Sequence, residues 1–304
     1  MNSPFLAIDW GTTNLRAWVV GDDGQPKAHR EFPLGVGRLA PGEAILRFVD
    51  TVQPALGAEE LPAVMCGMIG SNLGWTPVPY LECPASIDPV SRRLHRIERA
   101  GTAVWIVPGL RCERPDGGPD VMRGEETHVL GWVAANPTRA QGEHLICHPG
   151  THAKWVRVVD GRIEGFVSCM TGEIFDLLTT HSVLASPGDA DNEGAFTEGV
   201  MAAGPGDALA SRMFTARSRV VGGGMPADHV NAYLSGLLIG SEVASVPGLF
   251  GVEPGTLVSV IGDLRLAGRY RRVLELLGYR VEVHDGESAA LSGIAALAAG
   301  VLAR

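Results

Sequence analysis

Two α/β domains built on one plan are what the sequence predicts, and three observations carry that expectation. The chain has 304 residues, about twice an ordinary domain. Short apolar runs closed by glycine or proline alternate with longer amphipathic segments, the rhythm of strands and helices. A strand, a polar bend and a second strand occur once in each half, around DWGTTN (9–14) and HPGTHAK (148–154).

The elements follow in order. FLAIDW (5–10) is a strand ending near Asp9, LRAWVV (15–20) is a second, and GDDGQP (21–26) turns into a third. PGEAILRFVDTV (41–52) is a helix whose apolar face takes Ala44, Leu46, Phe48 and Val49. PAVMCGMIG (62–70) is a buried strand leaving through glycines, and AVWIVPGL (103–110) is another, stopped by Pro108. GEETHVLGWVAA (124–135) begins with acids and continues apolar, as a helix N-terminus should.

The second half repeats the theme. Residues 142–178 give a strand, the polar bend, two strands joined at DGR (160–162), then a helix. NAYLSGLLIGSEVASV (231–246) and ESAALSGIAALAAGVL (287–302) are helices whose small residues permit close backbone packing. Between them, residues 256–283 read as strand, glycine loop, helix, strand. The expected division is a domain of 1–135 and a domain of 136–304, the last helix packing back at their interface.

The chain is 45% hydrophobic and 19% charged, enough to bury a sizeable core, and it has no low-complexity block. Its net charge of −9, without a run of Lys or Arg, argues against nucleic acid or a membrane surface as partner. A few local arginines can still hold an anionic small molecule. Cys66, Cys83, Cys112, Cys147 and Cys169 are odd in number and form no Cys-x-x-Cys pair. Buried free thiols are expected, not a disulfide framework or a zinc site. MNSP leads straight into a strand, and no stretch reaches the roughly 18–20 uncharged apolar residues of a membrane span. A soluble, cytoplasmic protein is the expectation.

The polar bends carry the chemistry. Asp9 sits at a strand end among apolar neighbours, where a carboxylate needs a partner or a metal. Gly11, Thr12, Thr13 and Asn14 offer backbone N–H groups and side-chain donors to phosphate oxygens. A glycine hairpin is the plain alternative for one such bend. The second bend again offers Gly150, Thr151 and a cation, Lys154, and one bend per half is a more specific pattern. There is no G-x-x-x-x-G-K-[ST], and VVGGGMPADHV (220–230) lacks dinucleotide-fingerprint spacing, so Gly222–Gly224 is read as a loop.

On these residues the chain resembles the sugar-kinase, hsp70 and actin superfamily. More narrowly, AIDWGTTNLRAW (7–18), GMIGSNLGWTPVPYL (67–81), VMRGEET (121–127), PGTHAKWV (149–156), MTGE (170–173) and SGLLIGSEVAS (235–245) are similar to the 2-dehydro-3-deoxygalactonokinase family. The resemblance spans residue 7 to about 246, and the C-terminal part fits by layout. It implies two ribonuclease-H-like (actin-like ATPase) domains with a cleft between them, ATP and Mg²⁺, and a keto-deoxy sugar acid as substrate. The implied reaction is phosphorylation of 2-dehydro-3-deoxy-D-galactonate at its 6-hydroxyl, a step of D-galactonate catabolism.

Phosphoryl transfer assigns the roles. Asp9 is expected to face Mg²⁺, directly or through water. Thr12, Thr13 and Asn14 are expected at the β/γ-phosphates, with Gly150, Thr151 and Lys154 closing from the other domain. Arg16 points either to phosphate or to a carboxylate across the cleft. Glu125 is chosen as general base over Glu126; it stands where related kinases carry Asp, and both acids also suit a helix start. Ser71, Asn72, Trp75 and Tyr80 are expected to bind sugar hydroxyls and wall the site, Trp75 also reading as core filler. Arg123 is the first choice for the substrate's carboxylate or a hydroxyl. Gly262 and Asp263, in a strand-to-helix loop, are assigned to the adenosine. The alternatives are a kinase for another keto-deoxy sugar acid, such as 2-dehydro-3-deoxy-D-gluconate, and a non-catalytic ATP-binding regulator. Residues 67–80 and Glu125 argue against the regulator. An oligomer is compatible with all of these.

Overall fold

The computed structural model describes residues 3–99, 102–204 and 208–302. Packing divides the chain into two units. The first comprises Met1–Glu143, Val158–Phe166 and Asp285–Arg304, the second His144–Arg157 and Val167–His284.

In the first unit, strands β1 (Phe5–Trp10), β2 (Leu15–Val20) and β3 (Pro26–Phe32) form the expected meander. Helices α1 (Glu43–Arg47) and α2 (Gln53–Leu56) flank a π-helical turn, Phe48–Val52. Then come β4 (Ala63–Gly67), β5 (Leu81–Glu82), α3 (Ile87–Ser91), β6 (His95–Arg99), β7 (Thr102–Ile106), β8 (Leu110–Glu113), β9 (Pro119–Met122) and α4 (Glu125–Ala134). The main sheet runs β3-β2-β1-β4-β7-β6, and β5-β8-β9 make a small second one. β1 is antiparallel to β2 and parallel to β4, a register that sets Asp9 opposite both Arg16 and Cys66.

The second unit carries most of β10 (Glu143–His148) and β11 (Ala153–Val159), the Val167–Cys169 end of β12 (Arg162–Cys169), and α5 (Thr171–His181). After them come α6 (Glu193–Ala202), α7 (Leu209–Met213), α8 (Thr215–Val221), α9 (Val230–Leu249), β13 (Leu257–Gly262), α10 (Leu264–Leu276) and β14 (Arg280–Asp285). Its sheet order, β12-β11-β10-β13-β14, repeats the β3-β2-β1-β4-β7 order of the first unit. A meander added to parallel strands in the order third, second, first, fourth, fifth is the ribonuclease-H-like plan, and it occurs twice. Each unit has its own core, around Trp10, Ile8 and Phe48 in the first and around Trp155, Tyr233 and Phe196 in the second. Each such fully buried side chain contributes about 1.5–3 kcal/mol.

The structure departs from the sequence expectations at four points. The last helix, α11 (Gly286–Leu302), belongs to the first unit, not to a domain of 136–304. It lies so close on α4 that a Cβ at Gly293 would sit 2.0 Å from the Thr127 carbonyl oxygen, and Ser91 Oγ donates to the Leu297 carbonyl at 2.7 Å. Leu46 is 55% exposed, because the buried face runs Ala44, Phe48, Val52 and Leu46 lies opposite. Cys66, Cys112 and Cys147 are buried, whereas Cys83 and Cys169 are half-buried. Finally, the stretch Ala227–Leu249 is long and apolar enough, by length and composition, to cross a bilayer, and 72% of its most apolar 18 residues are buried within the fold. Its apolar character serves the core of the second unit.

Candidate active site

The first unit gathers its polar residues by bringing three backbone ends together. Gly67, at the end of β4, has φ 88°, and a Cβ there would lie 2.7 Å from the Trp10 carbonyl oxygen. Gly124, the N-cap of α4, has φ 113° and packs on the Gly67 Cα. Two glycines in backbone regions that side chains avoid thus seat the start of α4 beside the end of β1.

Asp9 therefore meets α4. Its Oδ2 lies 3.4 Å from His128 Nε2, and its Oδ1 accepts from Cys66 Sγ at 3.6 Å. Burial opposes ionisation of Asp9, but His128, Arg16 and the thiol outweigh it and hold the carboxyl below its ordinary range. Burial likewise opposes charging of His128, and Asp9, with Glu125 and Glu126, reverses that and raises it. Burial pushes the Cys66 thiol well up, with Asp9 and Glu126 adding to the effect.

The two acids of α4 differ sharply. Glu126 is fully buried, and its carboxylate turns back to accept from Gly124 N at 2.7 Å and from Thr127 Oγ1 at 3.1 Å. Burial, with the Glu125 charge, pushes its pKa up to about 7. Glu125 is half-buried, and Oε2 accepts from Arg123 N at 3.1 Å.

Arg123 is 8% exposed; its Nη2 donates to the Val78 carbonyl at 2.7 Å, and its guanidinium lies 4.3 Å from the Tyr80 ring centroid. Its Nε and Nη1 are buried without a hydrogen-bond partner. The segment carrying Tyr80 folds on itself, Trp75 N donating to the Ile69 carbonyl and Val78 N to the Gly70 carbonyl. Ser71 is buried and Oγ accepts from Leu73 N at 3.2 Å, while Asn72 is exposed. Trp75 is tilted against Phe48 at 5.7 Å and packs on the core, so its filling role is real.

The first phosphate-type bend is backed by Gly35–Gly37. Gly35 N donates to the Thr13 carbonyl, Val36 N to Gly11 and Gly37 N to Thr12, leaving Thr12, Thr13 and Asn14 exposed. Asn14 Nδ2 donates to Glu31 Oε1 at 3.0 Å. Arg16 pairs with Glu31 at 3.4 Å and with Glu287 at 3.0 Å, both in its own unit.

In the second unit, Gly150 and Thr151 line a cavity of about 400 Å³. Thr171, Gly172, Glu173, Phe175 and Asp176 of α5, Ser235, Leu238 and Ile239 of α9, and Leu266, Arg269 and Tyr270 of α10 complete its walls. α5 is docked on the bend: Glu173 N donates to the Thr151 carbonyl at 3.0 Å, and a Cβ at Gly172 would stand 2.4 Å from the Gly150 carbonyl oxygen. Lys154 is 4% exposed, its Nζ donating to the His152 carbonyl at 3.3 Å. Gly262 and Asp263 do not line the cavity. Asp263 caps α10, Oδ1 accepting from Arg265 N and Leu266 N at 3.1 Å each, and the cavity wall begins one turn later.

Two sets of residues escaped the sequence reading. His128 stands three residues after Glu125 in the same helix, a spacing that shares a face. Ser235, Leu238 and Arg269 lie on two helices whose meeting no local pattern announces.

Comparison with known proteins places the chain. The family model described as 2-keto-3-deoxy-galactonokinase matches residues 9–297. The 2-dehydro-3-deoxygalactonokinase of Escherichia coli (strain K12) is 36% identical over 300 residues, 98% of each chain. The chain belongs to the 2-keto-3-deoxy-galactonokinase family. A Rhizobium meliloti (strain 1021) protein named "Probable 2-dehydro-3-deoxygalactonokinase" is 37% identical, covering 97% of this chain and 96% of that one. A crystal structure of a protein from Sinorhizobium meliloti, described under the same enzyme name, superposes with a TM-score of 0.85 at 34% identity over 98% and 99% of the chains. Beyond the galactonokinase family, the activator of 2-hydroxyisocaproyl-CoA dehydratase from Clostridium difficile, solved with bound ADPNP, shares the fold at TM-score 0.52 and 13% identity, covering 96% and 93%.

Proposed function

We propose that this protein transfers the γ-phosphoryl group of ATP to the 6-hydroxyl of 2-dehydro-3-deoxy-D-galactonate, giving the 6-phosphate and ADP. The observation that carries the reading, beyond family membership, is Arg123. A buried cation with two unpartnered nitrogen donors is costly unless an anion completes it. It lies two residues from the half-buried carboxylate of Glu125. A sugar acid offers both a carboxylate and a hydroxyl to phosphorylate.

Glu125 takes the proton of the attacking hydroxyl, because Glu126 is occupied in closing the start of α4. Tyr80 supplies a flat wall, and Ser71 and Asn72 lie on the same loop to meet hydroxyls. In the first unit, Thr12, Thr13 and Asn14 donate to phosphate oxygens. In the second, Gly150 and Thr151 do so, and the adjoining cavity takes the nucleoside against the apolar walls of Leu238, Ile239 and Leu266, with Thr171, Glu173, Asp176, Ser235 and Arg269 as its polar edge.

The donor set at Asp9 fits Mg²⁺, which binds through one or two carboxylates, substrate phosphates and water. Among the described residues no group of three or more His, Cys, Asp or Glu forms a denser metal cluster. Asp9 would hold the ion, with His128 and the neutral Cys66 thiol orienting its carboxylate. Mg²⁺ neutralises charge on the transferring phosphoryl group when bound.

The test is a coupled assay of ADP release across a panel of keto-deoxy sugar acids. Release dependent on the galacto acid supports the reading. Preference for the gluco epimer would reassign the substrate, and no dependence on any sugar acid would leave only an ATP-binding protein.

A further inference from the structure

One buried carboxylate of the second unit takes no part in the chemistry above. Glu242, in the middle of α9, is 6% exposed. Its Oε1 accepts from Trp155 Nε1 at 2.6 Å; its Oε2 accepts from the Tyr270 hydroxyl at 2.9 Å and from the Thr171 hydroxyl. β11, α10 and the first residue of α5 thus converge on one side chain. The indole N–H can only donate, so Oε1 must accept. Two hydroxyls meet at Oε2, and if both point their hydrogens at it, their oxygens keep lone pairs for other partners. Trp155 and Tyr270 are almost fully buried, whereas Thr171 is half-buried and lines the cavity next to Gly172, which packs on Gly150.

We propose that Glu242 is a positioning residue for the nucleotide: it binds the Thr171 hydroxyl hydrogen, presents the Thr171 oxygen to the cavity as an acceptor, and so favours a nucleoside with a donor there. The donor is a ribose hydroxyl or the exocyclic amine of adenine. This rests on the reading of the cavity as the nucleotide site.

Glu242→Gln separates this role from packing. The amide keeps the shape and can still accept from Trp155, but its NH₂ then faces Thr171 and Tyr270, and both hydroxyls must reverse. Thr171 would then offer a donor where the nucleoside also brings one. Losing one neutral hydrogen bond is worth about 1 kcal/mol, roughly fivefold. The KM for ATP should therefore rise about five- to tenfold, with kcat at saturating ATP and the sugar-acid KM within twofold. Thr171→Val should produce the same rise, Thr171→Ser should retain wild-type values, and Glu242→Gln should add nothing in the Thr171→Val background. 2′-Deoxy-ATP and the triphosphate of purine riboside, which lacks the amine, identify the donor. Whichever analogue loses the sensitivity to Thr171→Val is missing it.

Calorimetric titration of ATP into folded Leu266→Trp, which fills the cavity, keeps the two claims apart. Undiminished ATP binding there would overturn the cavity reading itself. Lost binding there, with ATP affinity unchanged in Thr171→Val and Glu242→Gln, would overturn the role of Glu242 alone. An equal rise in both substrate KM values, with a lower Tm, would make Glu242 merely structural and also overturn it.

Discussion

Replacing Arg123 by methionine should separate stability from substrate binding. The side chain is 8% exposed and makes one hydrogen bond, to the Val78 carbonyl, and one stack, on Tyr80. Losing these costs about 1.5–3 kcal/mol for the charged hydrogen bond and ~0.5–2 for the cation–π contact. Against that, methionine removes two buried nitrogen donors that lack partners, each a liability of about 1–3 kcal/mol. The opposing terms nearly cancel, so Arg123→Met should fold with a stability within about 2 kcal/mol of the parent. The sugar acid, by contrast, loses a charge-assisted contact of about 1.5–3 kcal/mol, a rise in its KM of roughly 10- to 150-fold. The assay is initial rates with varied sugar acid at saturating ATP, alongside ATP titration calorimetry and thermal unfolding. ATP affinity should hold within twofold. A variant that unfolds early yet keeps the parental sugar-acid KM would refute the reasoning, because Arg123 would then be a strut.

Other substitutions probe the neighbouring groups. Glu125→Gln should lower kcat about 10²–10⁴-fold with a smaller change in sugar-acid KM, and steady-state rates beside Glu126→Gln check it; a larger loss in Glu126→Gln moves the base by one residue. Glu126 is raised from its ordinary 4.5 to about 7, so the folded chain keeps a proton that the unfolded chain releases between those values. Its contribution is fully present below pH 4.5 and is lost as pH rises to 7, about 3 kcal/mol at ~1.4 kcal/mol per pH unit. Glu126→Gln should flatten that slope and be the more stable form at pH 8, read from Tm at pH 5 and pH 8; a variant less stable at both would contradict it. Gly172→Ala would place a Cβ 2.4 Å from the Gly150 carbonyl oxygen, so the bend or α5 must shift. The KM for ATP should rise at least tenfold with sugar-acid binding unchanged, and an unaltered ATP KM would detach this contact from the nucleotide.

Much of the fold was legible because burial imposes its own period. The β1–β2–β3 meander, α4, the second bend and the β13–α10–β14 succession follow apolar rhythm and glycine punctuation. The small sheet of β5, β8 and β9 did not show, since strands of two to four residues are too short to display alternation. α6, α7 and α8 were also missed; the buried stripe of α6 is Ala195, Phe196, Gly199 and Val200, in which an alanine and a glycine weaken the apolar signal. The place of Asp9 at the end of β1 and the two glycine bends were readable from chain-local pattern, while their roles toward phosphate and metal are proposals. Asp263 caps α10 and does not line the cavity: a helix-capping aspartate after a strand-end glycine has the sequence appearance of a ligand contact. His128 and the α9 and α10 walls of the cavity depend on tertiary packing, which one sequence does not spell out.

The most direct test of the account is the product itself. ³¹P and ¹³C NMR of a reaction mixture containing the protein, MgATP and 2-dehydro-3-deoxy-D-galactonate should show one new phosphomonoester per ADP, with phosphorus coupling at C6. ADP with free inorganic phosphate, or a phosphoryl group on any other carbon, would contradict it.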